Sequence, residues 1–432
     1  MPKKLAIFCD GTWNDLRMAE RTNVSRLAKC VAPFAADGVT PQVVFYDEGV
    51  GVSSSVFRPV DAALRVIGGA FGRGLNSKIE SAYRFLVLNY EPGDEIYVFG
   101  FSRGAYTARS LCGLVRKCGI LRRDCFDLTP KALALYRNAL HPRSPEMIDF
   151  RAAHTQPMAS GEEDHERLGV PKAAVASPRQ RPPTLASAWQ YRSGATYRLM
   201  YLGVWDTVGS LGLPARLGAL SRRINRRYAF HDTDASSLLT SIRHAAAIDE
   251  DRRVFAATGF ANLHELNRRW ARATGWDVDD ADAATFVPFP LRPYQQAWFP
   301  GDHGAVGGGN PEPGLSSAAL LWIAEGAEAA GLRLDRAPET ELGRAVRRVN
   351  ACADWRVNKD GSRKKPADKD MLGEIGGYRP RTGPARLEEV APLARERWRR
   401  MPAYRPANLT VMTGQDLGPE RPATAPAGFP TR

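Results

Sequence analysis

The stretch YVFGFSRGAYTAR, Tyr97 to Arg109, joins a short apolar run to a helix-forming run through Gly-x-Ser-x-Gly. Just upstream, EPGDEIYVFG reads as a turn followed by a buried strand. Downstream, AYTARSLCGLVRKCGI reads as a helix ending near Gly119. A strand–turn–helix of this kind holds its serine in a strained backbone conformation and lifts the hydroxyl above the sheet. Gly100 and Gly104 fit that reading, since a Cβ at either would collide with the neighbouring strand and helix. The helix start behind Ser102 also favours developing negative charge. A glycine-flanked serine capping a helix is the plainer reading of the same letters, and the flanking elements weigh against it.

Outward from this turn the chain alternates. KLAIFCDGTWN and PQVVFYDEGVG each read as a strand entering a turn, with helical spacing in TNVSRLAKCVAPF between them. GLNSKIESAYRFLVLNY is an amphipathic helix with Asn76 or Ser77 as its cap. Alternating strands and helices predict an α/β fold with a mostly parallel central sheet, helices on both faces and a large insertion. Further on, TYRLMYLGVWDTVGSLG is a strand ending at Asp206, QQAWFPGDHGAVGGG a strand entering a glycine-rich loop, and GLSSAALLWIAEGAEAAG a helix. DASSLLTSIRHAAAIDEDRRVF is expected to be helical, capped by Asp234. Residues 141–193 are rich in Pro, Ser, Ala and charge and are expected to form a partly disordered insertion or lid. The expected organisation is a catalytic domain over 1–340, a polar, basic C-terminal extension over 341–414, and a flexible tail over 415–432.

The 432 residues are 44% hydrophobic, enough for a sizeable core. No run approaches the roughly 18 apolar residues of a membrane span, and the apolar stretch after Lys4 is too short for a signal peptide. The chain is therefore expected to be cytoplasmic as synthesised. Its six cysteines, none in Cys-x-x-Cys, fit reduced and mostly buried thiols. The net charge of +13 is largely arginine spread along the chain, the usual solvated surface. Such an excess also attracts anionic surfaces. No zinc-finger, RNP-like or helix-turn-helix pattern supports a nucleic-acid partner.

A nucleophilic serine needs a base, and the base needs an orienting acid, in the chain order Ser, Asp or Glu, His. His141, His154 and His165 lie in or beside the polar stretch, and His231 and His264 in uninformative surroundings. His244 falls within the helical pattern and reads as a structural residue. His303 follows an apolar run on a Pro-Gly-Asp turn, where a general base belongs. Asp206, at the end of its strand, is the matching acid. Asp302 is the rival, but neighbours along an extended chain point in opposite directions. The oxyanion donors would be the backbone N–H of Arg103 and that of Gly11 or Thr12, with Asp10 bracing the loop. No metal or organic cofactor is required.

IFCDGTWND, GFSRGAYTAR, GVWDTVGSLG, RHAAAIDEDRR and WFPGDHGAVGGG, in this order, resemble the catalytic domain of the type VI secretion phospholipase effectors of the first lipase class, over roughly residues 4–330. The resemblance implies an α/β-hydrolase fold and hydrolysis of phospholipid acyl esters by Ser102, Asp206 and His303. It further implies delivery to another compartment, with a secretion adaptor or an immunity protein as partner. Two departures stand out. Gly304-Ala305 replaces the family's usual Ser-Asp after the histidine, and the long membrane-anchoring region of the larger effectors is replaced by polar sequence. Beside phospholipid, the alternatives are a soluble or polymeric ester, or a hydrolase-like binding protein without catalysis. An anionic membrane surface would be reached through the basic excess, with Met147, Ile148, Phe150, Leu185 and Trp189 of the insertion covering the site in water.

Overall fold

The computed structural model of the chain describes residues 2–11, 20–48, 70–157, 198–209, 234–236, 238–273, 287–356, 377–410 and 417. Its strands are β1 (Lys4–Cys9), β2 (Gln42–Asp47), β3 (Glu95–Phe101), β4 (Arg198–Trp205), β5 (Leu239–Ala247) and β6 (Tyr294–Phe299). They form one sheet in the order β2-β1-β3-β4-β5-β6, and every neighbouring pair is parallel. Strands covered by helices on both faces should be apolar nearly throughout. Leu5 to Cys9 of β1 are all buried, as are all nine residues of β5. Cross-strand pairs add to this: Phe8 and Phe99, opposite each other in β1 and β3, stack at 4.6 Å.

The helices are α1 (Asn23–Ala28), α2 (Ala70–Asn89), α3 (Arg103–Cys118), α4 (Thr129–Arg137), α5 (Pro145–His154), α6 (Leu263–Ala273), α7 (His303–Gly307), α8 (Gly314–Ala329), α9 (Glu341–Arg348) and α10 (Pro392–Arg400). α3 packs on β1, β3 and β4, and α8 on β4 and β5. The α8 face of β4 is pinned by polar tips of buried aromatics. Tyr201 Oη donates to the Ile323 carbonyl at 2.9 Å, and Trp205 Nε1 to that of Ala319 at 3.3 Å. The chain steps from β1 to β2 on one side and returns to β3 on the other. The C-terminal ends of β1 and β3 therefore flank the point where strand order reverses, where α/β sheets open a crevice.

Three expectations change. The LTSIRHAAA segment is strand β5, not helix, and Asp234 precedes it without capping anything helical. Burial on both faces removed the alternation that marks a half-exposed strand, and its alanines read as helical. Within the stretch set aside as an insertion, residues 145–154 form helix α5, with Met147, Ile148 and Phe150 buried. Residues 158–193, with Leu185 and Trp189, lie outside the described residues. Asn76 and Ser77 lie inside α2 and do not begin it.

Beyond residue 340 the described residues include segments packed onto the core. α9 lies against α8. A second apolar cluster joins Ile248, Trp298 and Leu315 to Trp355, Val390 and Trp398. Val390 also pairs in parallel with Trp298, whose carbonyl accepts from the Ala391 N–H at 3.0 Å. Among the described residues no helix is long and apolar enough to cross a membrane.

Candidate active site

Parallel strands all end on one edge, so the residues after β1, β3, β4, β5 and β6 converge there. The turn after β3 has the expected strained form. Ser102 has φ 58° and ψ −121° and leads directly into α3. A Cβ on Gly104 would lie 2.0 Å from the Cys9 carbonyl oxygen, and one on Gly100 2.4 Å from that of Gly104, so helix, β1 and β3 meet as backbone against backbone. Ser102 and Asp206 (φ 39°) are the only non-glycine residues with positive φ among those described. Such strain persists only where surrounding structure enforces it, and here it marks both ends of one hydrogen-bonded chain.

That chain runs through His303, the first residue of α7. His303 Nε2 is 2.8 Å from Ser102 Oγ, and Nδ1 is 2.5 Å from Asp206 Oδ2. The imidazole lies between two rings, stacked on Phe255 at 4.6 Å and tilted against Phe101 at 4.6 Å. Its backbone N–H donates to Glu250 Oε2 at 3.1 Å, and Gly301 N–H to Asp249 Oδ2 at 2.6 Å. The paired acids that follow β5 thus strap down the loop carrying the histidine. Asp302, the rival acid, instead caps α7 by accepting from the Ala305 N–H at 2.9 Å.

Asp206 is wholly buried, and four donors meet its carboxylate. The Ala247 N–H reaches Oδ1 at 2.8 Å and His303 reaches Oδ2. Both arms of Arg381 complete the set, Nη1 to Oδ1 at 2.6 Å and Nη2 to Oδ2 at 2.9 Å. Burial pushes this carboxyl up, but the Arg381 charge, with the bonds from His303 and Arg381, holds it well below the usual range. Nearby, Glu250 is also buried, and the hydrogen bonds and charge of Arg252 keep it below its ordinary value despite burial. His244 sits behind the Asp206 turn. Its Nε2 accepts from the Thr207 N–H at 3.2 Å, so Nδ1 carries the proton toward Gln296 Oε1 at 2.9 Å. Burial drives His244 down to about 4, and it is a neutral strut.

Asp10 accepts from the Gly11 N–H at 2.7 Å, from Thr22 Oγ1 at 2.6 Å and from Tyr46 Oη at 2.6 Å. These bonds hold the loop and engage the Gly11 N–H, one of the two β1-loop amides expected as an oxyanion donor. Thr12, the alternative, lies outside the described residues. Arg103 begins α3, next to Ser102. Burial raises the Asp10 carboxyl to about 6, against the pull of its three donors. Among the described residues no group of three or more His, Cys, Asp or Glu is placed to hold a metal ion. A cavity of about 350 Å³ beside Cys112 and Phe260 includes none of Ser102, Asp206 and His303 in its lining.

Sequence reading missed Arg381 and the strapping role of Asp249 and Glu250. The acids lie in the quoted RHAAAIDEDRR, where an unbroken run of three acids, Asp249 to Asp251, after an apolar run was the available signal. Arg381 offers none: it is one arginine among many in a stretch without periodicity.

A family model described as "T6SS, Phospholipase effector Tle1-like, catalytic domain" matches residues 3–326. Among curated proteins, the uncharacterized protein YEL023C of Saccharomyces cerevisiae is 25% identical over 271 residues, which cover 60% of this chain and 33% of that protein. Among solved structures, an uncharacterized protein from Pseudomonas aeruginosa aligns at 16% identity and a TM-score of 0.36, covering 81% of this chain and 49% of that one. A Tle1 effector bound to the VgrG spike of the type VI secretion system aligns at 16% identity and a TM-score of 0.33, covering 72% and 52%. The chain thus spans a third of the curated relative's length and about half of each solved chain.

Proposed function

Because the chain belongs to the Tle1-like catalytic-domain family of type VI secretion phospholipase effectors, we propose that it is a serine hydrolase cleaving the acyl esters of phospholipids. The observation that carries this reading is the 2.8 Å approach of His303 Nε2 to the hydroxyl of a serine held at φ 58°. Ser102 Oγ attacks the ester carbonyl as its proton passes to His303 Nε2, and Asp206 holds the resulting imidazolium at Nδ1. The oxyanion accepts from the Arg103 N–H and a second N–H of the β1 loop, assigned to Thr12. Collapse of the tetrahedral adduct breaks the bond to the alcohol oxygen, which takes the proton from Nε2. Water then repeats the sequence on the acyl-enzyme, releasing the fatty acid and restoring Ser102.

The same reading includes the basic surface as an attraction to anionic bilayers, and delivery by a secretion machinery through an adaptor. Burial of Met147, Ile148 and Phe150 removes part of the apolar surface expected to meet a membrane, and this favours a soluble ester as the second reading. A fluorophosphonate probe should label the wild type and leave Ser102→Ala unlabelled. A panel of anionic and neutral phospholipid vesicles beside short soluble esters should then show fastest turnover on anionic vesicles, falling as salt rises. Equal labelling of both proteins rejects the serine, and fastest turnover on the soluble ester transfers the assignment to the second reading. Secretion of the tagged chain from cells with and without an active secretion apparatus tests delivery; equal release from both rejects it.

A further inference from the structure

We infer that Arg381 is the positioning residue of this site, a guanidinium that fixes Asp206 through both carboxylate oxygens and so sets the acid that orients His303. The inference rests on the serine-hydrolase reading above. It goes beyond the family match, which ends at residue 326, because the group in question comes from chain outside it.

The geometry is specific. The Arg381 side chain is 95% buried by its 5% exposure, and Asp206 has none. Besides the two Asp206 oxygens, its nitrogens donate to the Ala247 carbonyl at 2.9 Å and the Phe255 carbonyl at 2.5 Å. Those acceptors belong to the end of β5 and to the segment whose Phe255 ring stacks on His303. One planar cation thus links the acid, the strand that supports it and the backbone of the ring that stacks on the base. A fork that meets both oxygens fixes the plane of a carboxylate, which a point charge does not.

The segment bearing Arg381 is anchored on both sides. Arg253 N–H donates to the Gly377 carbonyl at 3.0 Å and Arg379 N–H to that of Asp251 at 2.6 Å. Further along, Tyr404 Oη donates to Asp249 Oδ2 at 2.9 Å and Asn408 Nδ2 to the Ile248 carbonyl at 2.9 Å. Each of these contacts falls on the acidic turn after β5 or the chain that continues from it. The charged and titratable groups around Asp206 are His303, Arg381, the Glu250–Arg252 pair, and His244 with Arg109 behind it. Arg381 is the cation in direct contact with the carboxylate. Removing it leaves a fully buried acid facing only the histidine and an amide. Such an acid is expected to hold a proton to higher pH.

The test uses the full chain and the rate of fluorophosphonate labelling at Ser102, read across pH, with hydrolysis of a short soluble ester in parallel. Arg381→Met should react about 10- to 100-fold more slowly at neutral pH. Its acid limb should move about one pH unit upward. Arg381→Lys, which keeps the charge but not the fork, should lose several-fold in rate with its acid limb in place. In an Asp206→Asn background, removing Arg381 should change the rate by less than about threefold, because the arginine acts through that carboxylate. An Arg381→Met protein with wild-type rate and pH profile overturns the inference. So does an equal loss in both backgrounds, the mark of a merely structural arginine. If Arg381→Met does not fold, Arg381→Lys decides, and a wild-type rate there overturns the two-oxygen role. A wild type that is not labelled at Ser102 fails differently, by removing the hydrolase reading itself and this inference with it.

Discussion

The Ser102 N–H donates to the carbonyl of Trp205, the residue immediately before Asp206, at 3.0 Å. Ser102 and Asp206 are therefore joined by backbone as well as through His303. In the same way the Asp206 N–H donates to the Ala245 carbonyl at 2.7 Å, so the hydrogen-bonded ladder of β3, β4 and β5 runs one residue past the strands into the site. The spacing of hydroxyl and carboxylate is set by sheet register, and the histidine arrives separately, at the start of α7.

With the acid placed this way, Asp206→Asn should lower turnover by about 10⁴-fold while leaving the fold intact, since the amide presents the wrong partner to Nδ1. Asp302→Asn keeps a capping side chain on α7 and should change turnover less than about threefold. Both rates are to be taken on proteins with matched circular dichroism. The opposite ranking moves the acid to Asp302.

Gly104→Ala should cost about 3 kcal/mol or more, because the added carbon meets the Cys9 carbonyl 2.0 Å away and both partners are backbone. Chemical denaturation, or loss of soluble protein, reads this out. A variant within about 0.5 kcal/mol of the wild type would mean that β1 and α3 can separate.

Phe255→Ala removes the ring stacked on the imidazole at 4.6 Å. The histidine then has Phe101 on one side only, and turnover should fall about tenfold through loss of orientation. Ester kinetics on the folded variant check it, with an unchanged rate excluding a clamping role for the ring.

Asp10 supplies a pH prediction. Its folded value of about 6 lies above the ordinary 3.8, so its proton contributes stability below 3.8 that is lost as pH rises through 6. Asp10→Asn lacks this loss. Relative to wild type, the variant should gain about 2–3 kcal/mol between the acid and neutral ends of that window. The neighbouring shifts, Asp249 raised to about 6 and His244 lowered to about 4, cancel in the comparison. Urea melts at pH 4 and pH 7.5 supply the numbers, and a difference that does not change with pH would falsify the assignment.

What could be read from the letters follows from range. The turn around Ser102, the strands before Asp10 and Asp206 and the loop at His303 each carry their signal within a dozen neighbours, as apolar runs interrupted by glycine. β5 misled because its polar members are satisfied internally. Buried Arg243 donates to the Trp322 carbonyl and buried His244 pairs with Gln296, so neither marks a solvent face. Arg381 meets Asp206 across 175 residues, and local pattern carries no information over that span. The bond from the Gly11 N–H to Asp10 was not legible either, since nothing in Asp-Gly says whether the side chain will take the next amide for itself.

Arg381 lies later in the chain than every other residue of the site, and that fixes an order of events during synthesis. Ser102, Asp206 and His303 leave the ribosome first, at about 5–20 residues per second. Until the segment around Arg381 follows, Asp206 has no guanidinium against it, and the acidic turn after β5 lacks Tyr404 and Asn408. The three residues of the proposed triad are thus translated before the guanidinium that meets Asp206. Chains released at increasing length should gain about 10- to 100-fold in fluorophosphonate reactivity once residues through Leu409 are included, and full reactivity in chains ending near residue 340 would rule this out.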